Sequence, residues 1–149
     1  MEALGPQVKG LQIGDKVVID PVVSCGVCYA CRIGRHNVCA DLAVLGVHRD
    51  GGFKSLFMVP ASNVIAVPAD FDLGIAALAE PFSVAANVLS LTGCSDSDCV
   101  LVYGAGPIGL TVLQVAKLKG ARCIVVDIDQ ARLEVARSFG ADRVIHSPS

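Results

Sequence analysis

Cys25, Cys28, Cys31 and Cys39 fall within one short stretch in the pattern C-x2-C-x2-C-x7-C. That spacing can wrap four sulfurs around one tetrahedral ion, and zinc suits it because four thiolates at about 2.3 Å close its coordination shell. Three other readings compete. A cluster of small buried hydrophobes is poor, because the intervening Gly26, Tyr29, Arg32, Gly34, Arg35, His36 and Asn37 do not form a core strand. A pair of disulfides requires an oxidising compartment, which nothing in the chain suggests. A bacterial iron–sulfur run would place three residues before the last cysteine and a proline after it, whereas here seven precede it and Ala40 follows.

A second constellation lies further along. Cys99-Val100-Leu101-Val102-Tyr103 reads as a strand buried on both faces, and it enters Gly104-Ala105-Gly106-Pro107-Ile108-Gly109 directly. Pro107 suits a first helical position. Ile108 to Lys119 is apolar apart from Thr111, Gln114 and Lys117, and Gly120 is placed to stop the helix. The strand Arg122 to Val126 then ends in Asp127. Strand, glycine turn, helix, strand and acid is the dinucleotide-binding order. Gly104 permits the tight turn, Gly106 lets the backbone approach a pyrophosphate, and Gly109 lets the helix pack close to the strand. The helix start offers unpaired N–H groups to phosphates. Asp127 would accept from the adenosine ribose hydroxyls and repel a 2′-phosphate, which favours NAD over NADP. The plainer alternatives are a glycine turn that only packs a helix on a sheet, and a solvated strand-end aspartate.

Glu80 is the only charged residue between Asp72 and Asp96, with Ala76-Ala77-Leu78-Ala79 before it and Phe82 after. An unpaired carboxylate in such a segment must be solvated, paired or metal-bound. From pattern alone, a helix-end carboxylate facing water is the commoner outcome. His36, His48 and His146 stand alone and read as loop or surface residues.

The elements that must position these groups divide the 149 residues into three stretches. Residues 1–68 read as short strands and turns, with the strand Val17-Val18-Ile19, a cysteine lobe over 20–45, and a strand Phe53 to Val59 after the turn Asp50-Gly51-Gly52. Residues 69–93 form a connecting segment, helical from Asp72 to Leu91, with Asp72 as N-cap and a break at Pro81. Residues 94–149 alternate strand and helix, which implies a parallel sheet. The 12 basic and 14 acidic residues are scattered, so no basic patch points to nucleic acid and no charged tail to a charged partner. The longest apolar region, Ile75 to Leu91, is interrupted by Glu80, Pro81, Ser83, Asn87 and Ser90, too often to span a membrane. The N-terminus lacks the pattern of a signal peptide. Seven cysteines, three of them (Cys94, Cys99, Cys123) without an obvious partner, fit a reducing cytoplasm.

Taken together, the chain resembles the zinc-dependent medium-chain alcohol dehydrogenases, in particular the branch acting on polyols and sugar acids (sorbitol-, idonate- and galactonate-dehydrogenase-like). The resemblance is carried by Gly14-Asp15-Lys16-Val17-Val18, the cysteine lobe, Leu45-Gly46-Val47-His48-Arg49-Asp50-Gly51-Gly52-Phe53, Ala79-Glu80-Pro81-Phe82, the glycine turn, Asp127 and Arg132-Leu133. It implies an α/β protein: part of a GroES-like β domain with a structural zinc lobe, then the first βαβαβ half of a Rossmann doubly wound parallel sheet. It further implies that Cys25, Cys28, Cys31 and Cys39 hold structural zinc and that Glu80 is the carboxylate ligand of a catalytic zinc. Gly104, Gly106, Pro107, Ile108, Gly109, Asp127 and Arg132 are implied to meet NAD, with Arg132 against the adenosine ribose.

The implied reaction transfers a hydride from a secondary alcohol to NAD, in a complete enzyme that forms a homo-oligomer. The chain departs from the family in lacking the upstream cysteine and Gly-His-Glu that supply the other catalytic-zinc ligands, and in stopping after Arg143-Val144-Ile145. It therefore reads as cut at both ends and inactive alone. The alternative is a non-catalytic remnant that still binds zinc and NAD.

Overall fold

The computed structural model describes residues 1–148, which form two compact units, Met1–Ala77 and the remainder from Leu78. In the first unit, β1 (Val17–Ile19) pairs antiparallel with β4 (Val64–Ala66), and β2 (Val22–Val23) with β3 (Ala43–Val44). The chain between β2 and β3 is the cysteine lobe, which contains the short helix α1 (Tyr29–Arg32) and a helical turn at His36–Val38. The β2–β3 ladder closes that lobe at its base. Helix α2 (Leu73–Ala76) begins at Asp72, whose side chain accepts from the Ile75 amide at 2.9 Å, as expected of an N-cap.

The second unit starts with α3 (Ala79–Leu91). It continues through β5 (Cys99–Tyr103), α4 (Pro107–Leu118), β6 (Arg122–Asp127), α5 (Gln130–Ser138) and β7 (Arg143–His146). The strands form one parallel sheet in the order β5-β6-β7, with Tyr103 opposite Val126 and Asp127 opposite His146. This is the expected α/β half-sheet. Its core is small and well closed: Leu113, Val125, Cys123 and Leu133 are fully buried, and α3 packs against α4.

Three sequence expectations need correction. Phe53 to Val59 is not a strand. No described neighbour offers it a ladder, and Phe53 and Met58 lie almost wholly in solvent. The helical break falls at Ala77–Leu78 rather than at Pro81. Pro81 sits in the first turn of α3, where a missing N–H breaks no intrahelical bond. Nor is β5 buried on both faces. It is an edge of the described sheet, with Leu101 and Tyr103 exposed, and the buried central strand is β6. The polar row Thr111, Gln114, Lys117 of α4 is engaged within the unit. Thr111 is buried and donates to the Ile108 carbonyl, and Lys117 pairs with Asp142 at 2.8 Å.

The turn from β5 into α4 depends on the absence of a side chain at residue 109. A Cβ there would lie 1.8 Å from the Gly104 carbonyl oxygen, whereas one at Gly106 would meet nothing within 4 Å. Gly109→Ala should therefore destabilise the fold by at least the roughly 1–3 kcal/mol typical of overpacking. Gly106→Ala should leave it nearly unchanged. Thermal melts of the two variants check this, and equal melting temperatures would contradict it.

Candidate functional site

In the first unit the fold brings all four expected cysteines together, with every sulfur within 4.8 Å of the others. Sγ of Cys25 and Cys31 are 4.0 Å apart, and those of Cys28 and Cys39 are 3.9 Å apart. A zinc–sulfur bond of about 2.3 Å in a regular tetrahedron requires edges of about 3.8 Å, so the cage is close to the size of one ion. These separations are far above the roughly 2.05 Å of a disulfide, and all four cysteines are free.

Local structure explains the convergence. Gly26 and Gly34 take positive φ at the bends on either side of α1, where a Cβ would strain the chain. Backbone amides point at sulfur: Cys25 N–H donates to Cys39 Sγ, Cys28 N–H to Cys25 Sγ, and Asp41 N–H to Cys39 Sγ. Hydrogen bonds from the Ala40 and Cys31 backbone pull the Cys28 thiol down to about 6, and those of Val27 and Cys28 lower Cys25. Burial pushes Cys31 up to about 11. Without a cation, four adjacent sulfurs cannot all ionise; a divalent ion at their centre removes that conflict.

Sequence reasoning missed Asn63. It is buried, and its side-chain amide donates to the Asp20 and Val22 carbonyls, both at 2.8 Å, so it fixes the strand that enters the lobe. Its only signal was an asparagine immediately before a strand. The three histidines are exposed surface residues, with His146 at the end of β7. His48 Nδ1 accepts from the Val44 amide, His36 Nδ1 lies 3.2 Å from Ser24 Oγ, and His146 Nε2 lies 3.0 Å from the Ile128 carbonyl.

In the second unit Gly104, Gly106, Pro107, Ile108 and Gly109 form the link from the carboxyl end of β5 to the start of α4. Gly104 has φ +97° and donates its N–H to the Val126 carbonyl at 2.7 Å. Pro107 takes the first helical position. Gly106 is an extended N-cap with no side-chain capping bond, so the first amides of α4 and the positive end of its dipole remain available to an anion. Helix α5 differs, because Asp129 caps it through the Ala131 and Arg132 amides.

Asp127 ends β6 beside this turn. It is buried, and Oδ2 accepts from Ala105 N–H at 2.5 Å while Oδ1 accepts from Asp129 N–H at 2.8 Å. Those two bonds, with the nearby Arg132, hold its carboxyl below the usual aspartate range. The group is thus ionised at neutral pH, and any anion-dependent role is lost only as pH falls through that depressed value. Arg132 is exposed and lies 3.7 Å from Asp129 Oδ2. Glu80, in the first turn of α3, is exposed to solvent, and among the described residues it joins no second cluster of metal-ligating side chains.

The thiolate cage of the first unit and the glycine turn beside the buried Asp127 of the second are thus the two candidate sites of the chain. The family models for the alcohol dehydrogenase GroES-like domain and for zinc-binding dehydrogenases match residues 1–69 and 107–149. The chain belongs to the zinc-type medium-chain alcohol dehydrogenase family.

Among its relatives, the starvation-sensing protein RspB of Escherichia coli K12 is 48% identical over 99% of this chain and 44% of its own length. L-galactonate-5-dehydrogenase of the same strain is 42% identical over 88% of this chain and 38% of its own. The crystal structure of rspB from E. coli CFT073 with its cofactor NADH has a TM-score of 0.91 and 49% identity, covering 97% of this chain and 43% of that one. The chain therefore spans less than half the length of these relatives.

The cage is expected to hold one zinc ion. Structural zinc of this kind binds with an apparent free energy on the order of 10–16 kcal/mol, so the metal should survive purification at about one ion per chain. Cys31→Ser should abolish that stoichiometry and loosen residues 24–42 while leaving the parallel sheet of the second unit intact. Elemental analysis with circular dichroism checks both, and zinc content unaffected by the substitution would count against the cage.

Proposed function

We propose that this chain is part of an NAD-linked, zinc-dependent dehydrogenase that oxidises a secondary alcohol of a polyol or sugar acid to the ketone. The observation that carries this reading is the uncapped glycine turn with the ionised Asp127 beside it, in a chain 42% identical to an L-galactonate-5-dehydrogenase. In this reading the free backbone amides of Gly106, Ile108 and Gly109 bind the pyrophosphate, and Ile108 in the first turn of α4 lies against the dinucleotide. Asp127 accepts from the adenosine ribose hydroxyls, and Arg132 flanks that ribose. Cys25, Cys28, Cys31 and Cys39 hold a structural ion whose shell they fill, which leaves it no site for substrate.

Glu80 is assigned as one ligand of a second, catalytic zinc. Its solvent-facing carboxylate in the first turn of α3 is free to coordinate, as one of the three protein ligands that a catalytic zinc usually takes. When bound, such an ion would lower the pKa of the substrate hydroxyl, and the NAD held at the glycine turn would take up the hydride from the alcohol carbon. The complete enzyme is assigned as a cytoplasmic homo-oligomer. Among the described residues no helix is long and apolar enough to cross a membrane.

Three measurements test the assignment. The complete protein should reduce NAD with a sugar acid or polyol and prefer NAD to NADP, and Asp127→Ala should shift that preference by about tenfold or more toward NADP. Glu80→Ala should lower kcat/KM by at least about a hundredfold while NAD binding persists, since it removes a metal ligand and not a nucleotide contact. The 149-residue polypeptide alone should show no turnover. Equal use of both cofactors by the unmutated enzyme, or full activity of Glu80→Ala, would overturn the respective assignments.

A further inference from the structure

We infer that Asp127 is also a positioning residue, whose carboxylate sets the shape of the glycine turn before any nucleotide arrives. The two carboxylate oxygens reach different turns. Oδ2 takes the Ala105 amide of the β5–α4 turn and Oδ1 takes the Asp129 amide of the β6–α5 turn. One side chain thus ties together the two loops at the carboxyl end of the sheet. Ala105 is 1% exposed, so its N–H has no water to turn to if the carboxylate is removed. The only other described polar tie between the glycine turn and β6 is Gly104 N–H to the Val126 carbonyl, one residue earlier on each strand.

A carboxylate offers about four lone-pair directions, and two amides leave two for ligand hydroxyls. Clamping the turn and binding a ribose diol are therefore compatible in one group. Asparagine cannot substitute: with one oxygen on one amide, its NH2 must face the other N–H, donor against donor. Alanine leaves both amides unsatisfied. Either change lets the Ala105–Gly106 segment relax away from the geometry in which the α4 amides converge on a phosphate.

The ligand arm of this inference rests on the proposed NAD site, so the experiment has a second arm that does not. In the complete protein, affinity is compared for NAD and for an NAD analogue lacking the adenosine 2′- and 3′-hydroxyls. If Asp127 acts only on the ribose, Asp127→Ala weakens NAD but leaves the analogue unchanged. The clamp requires a further loss of about tenfold for the analogue as well, because the pyrophosphate turn is displaced.

In the unmutated, nucleotide-free protein, the Ala105 and Asp129 amides should exchange with solvent at least about tenfold more slowly than exposed loop amides. Asp127→Asn should accelerate both without changing the Val102 amide. Analogue affinity unchanged by Asp127→Ala, or fast exchange at Ala105 in the unmutated protein, overturns the clamp. A protein that binds neither dinucleotide overturns the NAD assignment instead, and the exchange rates then decide the clamp alone.

Discussion

Much of the second unit follows from one backbone contact, in which the first turn of α4 lies against the Gly104 carbonyl because Gly109 has no Cβ. That approach sets the helix close to the end of β5. With Gly106 extended and Pro107 supplying no N–H, the remaining first-turn amides face outward at the carboxyl edge of a parallel sheet. The location matches the rule that ligands of open α/β sheets bind beyond the strand ends, next to helix N-termini. The buried side chains behind the turn, Val102, Ala105, Leu113 and Val125, hold it against the sheet. The chemistry of the site is therefore mostly backbone chemistry, positioned by a missing methyl group.

The first unit is held together differently. Its strands are two or three residues long, and its buried hydrophobic side chains are few: Cys31, Cys39 and Ala76. Segments this small cannot bury enough apolar surface to offset the ordering of their loops. A tetrathiolate ion at the four cysteines would give residues 24–42 the cross-link that a core would otherwise provide. The exposed Val27, Tyr29, Ile33 and Val38 show that the lobe does not fold around its apolar side chains. The second unit needs no such cross-link, since its sheet and helices close around fully buried Leu113, Val125 and Leu133.

What could be read from the sequence was what local chemistry determines. The cysteine spacing, the caps at Asp72 and Gly120, the order of strand, glycine turn, helix and acid, and Pro107 at the helix start are short-range signals, and the structure contains each of them. The failures concern pairing. Phe53 to Val59 has strand-like residues but no described neighbour, and Cys99 to Tyr103 reads as a buried strand but lies at an edge. Whether a segment becomes a strand, and whether that strand is central, depends on partners distant in sequence. Asn63 and the Ala105–Asp127 bond were invisible for the same reason: each joins residues more than twenty positions apart.

The same distinction explains why the cofactor is legible and the substrate is not. A pyrophosphate is held by consecutive amides and a dipole, so a six-residue turn carries its own specificity. A polyol is recognised by side chains from many segments around a metal, and Glu80 is the one such group assigned among these residues. The apolar faces of β5 and α3 extend the argument. Leu101 and Tyr103 are exposed in an apolar groove of about 470 Å³ that Val88, Leu89, Val100 and Val112 also line. An edge strand with that much exposed apolar surface is a poor end for a sheet in water, because its free N–H and C=O groups accept another strand. The relatives that the chain matches are more than twice as long. The glycine turn, by contrast, finds its described contacts within β5, α4 and β6.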